Sequence, residues 1–315
     1  MSWVADEGKY AFGGVFAEGL VGPRFSAHHL PTGSMVEFEE IPHELAGNRG
    51  FVRQLAKATG AAGSLSSPHT IGVHGVVTIG GHLCLASDLF RGRSLAALMG
   101  AESPLPAAKA LFVADCVLGG LEELHRAGLV HGDVCAEAIT VATGGEVRLG
   151  EIGLARALAS EPSLIAWPEV VPPEGGAPSP AADLYAVGAL LREMVSGWRP
   201  EEIGEWMPPV QLGWLVARAV AVAPEKRFPD ASAFRQELEW TAVALLGPNW
   251  RRQSDLGRRA SRPLAPGTAR RRLGHSVSVA LSDGRRVTLR GTVAPDAARW
   301  ARVHPVQPPE ETSRA

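Results

Sequence analysis

Two short stretches hold side chains able to move protons. Residues 131–139, HGDVCAEAI, set an imidazole, a carboxylate and a thiol at alternate positions, His131, Asp133 and Cys135. Residues 147–156, VRLGEIGLAR, end a strand-like run in Glu151-Ile152-Gly153. A carboxylate within hydrogen-bond reach of a hydroxyl can take its proton, which makes Asp133 a candidate base. Cys135 beside His131 raises the possibility of a thiol nucleophile. No second base accompanies the pair, so packing is the plainer role for Cys135.

The elements that must position these groups divide into two kinds. Residues 10–88 are glycine-rich, with short β-like runs at 35–41 (MVEFEEI), 71–77 and 82–89, and one helix is expected over 46–58 despite two internal glycines. From residue 105 the apolar spacing turns helical. Leu111, Ala114, Val117, Leu118, Leu121 and Leu124 form one stripe. Leu184, Val187, Leu191 and Met194 mark a second helix over 181–196, and Pro229-Asp230 opens a third over 231–246. A sheet-rich part followed by a helical part predicts an α+β protein of two lobes.

The chain of 315 residues is long enough for a sizeable core, and 45% hydrophobic with 20% charged residues excludes a disordered chain. A net charge of −2 gives no general case for nucleic-acid binding. Three scattered cysteines, Cys84, Cys116 and Cys135, lack metal-ligand spacing and fit a reducing compartment. Without a signal-like N-terminus or an apolar run of spanning length, a cytoplasmic protein with no membrane span is expected.

The order of the segments resembles the protein kinases, most of all bacterial serine/threonine kinases. HGDVCAEA is similar to the catalytic loop H-R-D-L-K-P-E-N, and VRLGEIGLAR to the strand entering D-F-G. DLYAVGALLREMVSG resembles the start of the buried C-lobe helix, and APEKRF the late arginine motif. Upstream, VFAEGLVGPRFSAHHLPTGSMVEFEEI resembles a glycine-rich loop, its hairpin and the V-A-x-K strand. The resemblance covers about residues 10–247 and implies a bilobal fold with a small β-rich N-lobe and a helical C-lobe.

Carried over residue by residue, the resemblance puts the strand lysine on Glu39 and its partner glutamate near Gln54. An anion in place of that lysine repels phosphate by ~4 kcal/mol at 4 Å in an effective dielectric near 20. The first loop glycine is Ala17, with Gly19 and Gly22 kept; the metal-binding asparagine is Ala138 and the D-F-G aspartate is Glu151. Two positions around the adenine carry Arg24 and Glu37, and Thr140 lies beneath it. A salt bridge between Arg24 and Glu37 is expected to plug the pocket. The alternative is that Arg24 supplies a displaced cation, as a lysine does in the with-no-lysine kinases.

On this reading the chain is expected to be a pseudokinase, not an enzyme: Asp133 is a vestigial base, no metal or cofactor is held, nucleotide binding is disfavoured, and a protein partner is expected for a scaffold, assembly factor or regulator. Two alternatives stand beside it. One is an atypical nucleotide-binding enzyme with weak phosphoryl or nucleotidyl transfer; the other is an adaptor on an anionic surface. The resemblance also implies that His131 is a buried structural residue and that Asp183 accepts backbone hydrogen bonds from the catalytic loop. Arg227 is expected to pair with Glu169 or Glu174. Gly132 replaces the arginine that senses activation-segment phosphate.

The expected divisions are an N-terminal arm (1–14), N-lobe (15–88), C-lobe (89–247), Arg-rich linker (248–274), β-hairpin tail (275–305) and disordered end (306–315). Residues 251–272 hold eight arginines against Asp255, a possible contact for an anionic partner but more simply a solvated linker. In 276–293, period-two alternation around Asp283-Gly284 predicts a hairpin. A three- or five-residue loop aligns Val277, Val279, Leu281, Val287, Leu289 and Val293 on one face. Such a hairpin is marginal alone and must dock on the main domain or on a partner. Trp198, Trp206, Trp214 and Trp240 are read as core.

Overall fold

The computed structural model describes residues 3–4, 9–19, 21–159, 164–166, 170–175, 178–197, 208–259, 276–280 and 286–290. The first lobe contains β1 (Trp3–Val4), β2 (Tyr10–Glu18), β3 (Pro23–His29), β4 (Ser34–Glu40), α1 (His43–Ala46), α2 (Arg49–Ala62), β5 (Val73–Ile79) and β6 (His82–Asp88). Its strands form one six-stranded sheet in the order β1-β5-β6-β4-β3-β2. Phe25, Phe38, Ile79 and Cys84 form a small separate core on this sheet. Helix α2 starts where Asn48 accepts a hydrogen bond from the Phe51 amide, and it buries Phe51 and Leu55.

The second lobe begins with β7 (Arg93–Ser94), α3 (Leu95–Ala101) and α4 (Ala107–Arg126). The apolar stripe read from the sequence is the buried face of α4, where Leu111, Leu118, Leu121 and Leu124 are fully buried. Next come β8 (Ile139–Val141), β9 (Val147–Leu149), α5 (Leu154–Ala159), β10 (Leu164–Ala166), α6 (Pro180–Ser196), α7 (Val210–Ala219), α8 (Ala231–Leu246) and α9 (Leu256–Arg259). Ser179 and Asp230 cap α6 and α8 by accepting the amides of Ala182 and Ala233. The architecture is the expected bilobal α+β arrangement. Among the described residues no helix is long and apolar enough to cross a membrane.

Two expectations need correction. Trp214 and Trp240 are not core: they are 74% and 61% exposed, because each lies off the buried stripe of its helix. Trp198 and Trp206 lie outside the described residues. The basic run does not begin as solvated linker either. Trp250 is fully buried, and Arg251 is held by Asp115 and Glu239, so this turn belongs to the second lobe. Farther on, β11 (Ser276–Ala280) and β12 (Arg286–Arg290) pair antiparallel with Val277 opposite Leu289 and Val279 opposite Val287. Five residues, 281 to 285, lie between them, an odd number. Strand β11 also pairs antiparallel with β10, giving a three-stranded sheet in the order β10-β11-β12.

Candidate nucleotide and phosphotransfer site

A cleft of about 470 Å³ lies between the lobes, with Ala17, Arg24 and Glu37 on the sheet side, Leu89 and Phe90 in the connection, and Thr140 on the floor. The register of β3 against β4 sets Arg24 opposite Glu39 and Ser26 opposite Glu37. Arg24 is therefore paired with Glu39, its Nε donating to Oε2 at 3.1 Å. A terminal nitrogen of the same guanidinium donates to Glu151 Oε1 at 2.6 Å. The expected Arg24–Glu37 plug is corrected by this register: Glu37 Oε1 instead accepts from the Ser87 hydroxyl at 3.2 Å.

Glu37 and Glu39 are buried, and the Glu151 side chain is 6% exposed. Burial alone pulls the arginine toward its neutral form. Glu39, Glu151 and Glu37 outweigh that effect and hold its pKa above the ordinary value. Glu37 shows the reverse balance: burial pushes its carboxyl up, and Arg24 only partly offsets this.

The glycine loop closes over the Glu39 carboxylate. The Val21 amide donates to Glu39 Oε1 at 2.9 Å, and a Cβ on Gly19 would lie 2.2 Å from the Glu39 carboxyl carbon. Gly19 is thus needed for close approach of backbone to a charged group. Gly22 faces a similar restriction, where a Cβ would lie 2.1 Å from the Glu40 carbonyl oxygen.

Across the cleft, Asp183 organises the loop that carries Asp133. Its two carboxylate oxygens accept the amides of His131 and Gly132, at 3.0 and 2.8 Å, and Oδ2 also lies 2.8 Å from His125 Nε2. His131 Nε2 is 2.8 Å from the Gly150 carbonyl oxygen, which fixes that nitrogen as the donor. The other ring nitrogen then accepts the Asp133 amide at 3.3 Å. The imidazole therefore ties the loop to the strand before Glu151. Asp133 itself is 8% exposed.

Glu151 sits at φ 60°, in the left-handed region, which turns its carboxylate toward Arg24. Gln54 stands half-buried on α2. Arg227 donates to both oxygens of Glu174, at 2.7 and 2.5 Å, which answers the question of its partner; Glu169 lies outside the described residues. Cys135 is buried.

A divalent cation does not fit the side chains as placed. Ala138 offers no donor atom, and the carboxylate of Glu151 is committed to Arg24. No group of three or more His, Cys, Asp or Glu able to hold a metal occurs among the described residues.

The protein kinase domain model matches residues 15–206. The chain belongs to the protein kinase family. The serine/threonine-protein kinase PknL of Mycobacterium tuberculosis is 31% identical over 245 residues, 69% of this chain and 61% of that protein. PknD of the same organism is 25% identical over 254 residues, 71% of this chain and 38% of that protein. The chain thus spans about three fifths of PknL, a bacterial relative. The crystal structure of the M. tuberculosis PknI kinase domain superposes with a TM-score of 0.63 at 22% identity, covering 77% of this chain and 99% of that one, a likeness of fold.

These relatives overturn the expectation of a non-enzymatic scaffold, because the chains that align over two thirds of this kinase-family protein are named as kinases. They also remove the expectation that nucleotide binding is disfavoured. Residue 39 carries an anion where the kinase resemblance places a cation. A guanidinium instead reaches the same cleft from Arg24, one strand away.

Proposed function

We propose that this chain is a serine/threonine-type protein phosphotransferase that takes a nucleoside triphosphate in the interlobe cleft. Arg24 is the cation for its phosphates and Asp133 the base. The observation that carries the reading is the Arg24 guanidinium, placed in the cleft and reaching Glu151 at 2.6 Å. Entering phosphates compete with Glu151 and Glu39 for its N–H donors, and the two carboxylates so displaced oppose binding, so weak nucleotide affinity is expected. In the transfer step the substrate hydroxyl oxygen forms a bond to the γ-phosphorus, the bond to the bridging oxygen of the diphosphate breaks, and the hydroxyl proton passes to Asp133. The reaction is mostly positioning and charge stabilisation. With Ala138 in the loop and Glu39 on the strand, slow turnover is expected.

The test is transfer of labelled γ-phosphate to protein hydroxyls by the purified chain and by Asp133→Asn. Transfer by the unmodified chain that falls at least roughly a hundredfold in the variant, the lower end of what a positioned base supplies, supports the reading. Equal transfer by both, or none by either, contradicts it.

A further inference from the structure

We propose that the C-terminal hairpin β11–β12 is a strap in cis that orders β10 (Leu164–Ala166) near the Asp133 loop and so raises phosphoryl transfer. Described residues on either side of β10 in sequence meet the catalytic loop. A Cβ built on Gly132 would lie 3.0 Å from Pro178 and 3.7 Å from Ala155. Strand β11 pairs with β10 residue for residue: Leu164 with Val279, Ile165 with Ser278, Ala166 with Val277.

Three observations favour the chain's own tail as the agent. A two-stranded hairpin is marginal in water, and pairing with β10 makes it three-stranded. Sixteen residues, 260 to 275, connect Arg259 to Ser276. Extended, they reach about 50 Å, ample for the strand to fold back. Residue 132, next to Asp133, is a glycine, so the loop has no cation there with which a phosphate near β10 could hold that strand in place. Strand pairing supplies the missing restraint. The alternative occupant of this edge is a substrate peptide, for which the hairpin would then be an obstacle.

The test uses the full chain and Val279→Pro, which removes a ladder hydrogen bond from the middle strand of the sheet, with Val279→Thr as the conservative partner. Hydrogen exchange of the Leu164–Ala166 amides and phosphate transfer are both read, and the melting temperature checks that the two lobes stay folded. Exchange about tenfold faster, the factor that corresponds to about 1.4 kcal/mol, with transfer reduced by a similar factor and both restored in Val279→Thr, is the expected result. Unchanged exchange overturns the strap. So does faster exchange with equal or greater transfer, the greater transfer assigning the hairpin to obstruction. The transfer readout rests on the phosphotransferase reading. If the unmodified chain transfers no phosphate, that reading fails by itself, while the exchange comparison still decides whether β11 orders β10.

Discussion

Arg24 on the sheet and Glu151 on the turn after β9 meet at 2.6 Å, joining the two lobes through one guanidinium that also holds Glu39. Their side chains are 13% and 6% exposed. Arg24→Met should therefore leave two buried carboxylates without their cation. The expected cost is ~3–5 kcal/mol, a drop of roughly 10 °C in melting temperature for a chain this size. Thermal unfolding checks it. Arg24→Met combined with Glu39→Gln and Glu151→Gln should recover much of that loss.

The pH dependence of Glu37 has a definite sign. Burial raises its carboxyl above the ordinary 4.5. A group whose folded pKa is raised contributes stability that is present below the unfolded value and lost as pH rises through the folded one. Replacing it with Gln removes that loss. The melting temperature of Glu37→Gln relative to the unmodified chain should climb as pH rises from about 4.5 toward neutrality. A difference that stays flat or falls over that range counts against the burial argument.

Glu174 behaves in the opposite way. Its hydrogen bond from Arg227 holds the carboxyl below the ordinary 4.5, so its contribution is present above that value and is lost as pH falls through the depressed one. Glu174→Gln should melt lower than the unmodified chain at neutral pH, and the gap should close in acid. Arg227→Met should cost more, since the guanidinium also donates to the carbonyls of Ala181, Ala221 and Val222.

Gly19→Ala tests the loop. The added Cβ would lie 2.2 Å from a carboxyl carbon that Arg24 and the Val21 amide both hold in place. An overpacking cost of ~1–3 kcal/mol is expected, measured by chemical denaturation. In the double variant with Glu39→Ala the penalty from the methyl should shrink, because the carboxylate it collides with is gone.

Local signals made the frame legible. Helix α8 spans 231–246, the range read from the sequence, because Asp230 caps it and leucine and phenylalanine spacing carries it. The lobes followed from the change of hydrophobic period near residue 105. The pairing of Arg24 was less accessible. Glu37 and Glu39 stand two apart on one strand and so share a face, and which of them meets Arg24 depends on the register set by the turn over residues 30–33. A register shift of two residues would have produced the expected plug. The meeting of Arg24 with Glu151 and that of β10 with β11 are long-range, joining residues more than a hundred positions apart. No periodicity reports such contacts. Trp214 and Trp240 were misplaced because residue type, without phase along the helix, does not determine burial.

The most direct measurement is the dissociation constant of ATP for the unmodified chain and for Arg24→Met. If the guanidinium holds the phosphates, the unmodified chain binds and the variant binds at least tenfold more weakly, about 1.4 kcal/mol, while affinity for adenosine is unchanged. No binding by the unmodified chain, or equal ATP affinity in both, would contradict Arg24 as the phosphate cation of this cleft.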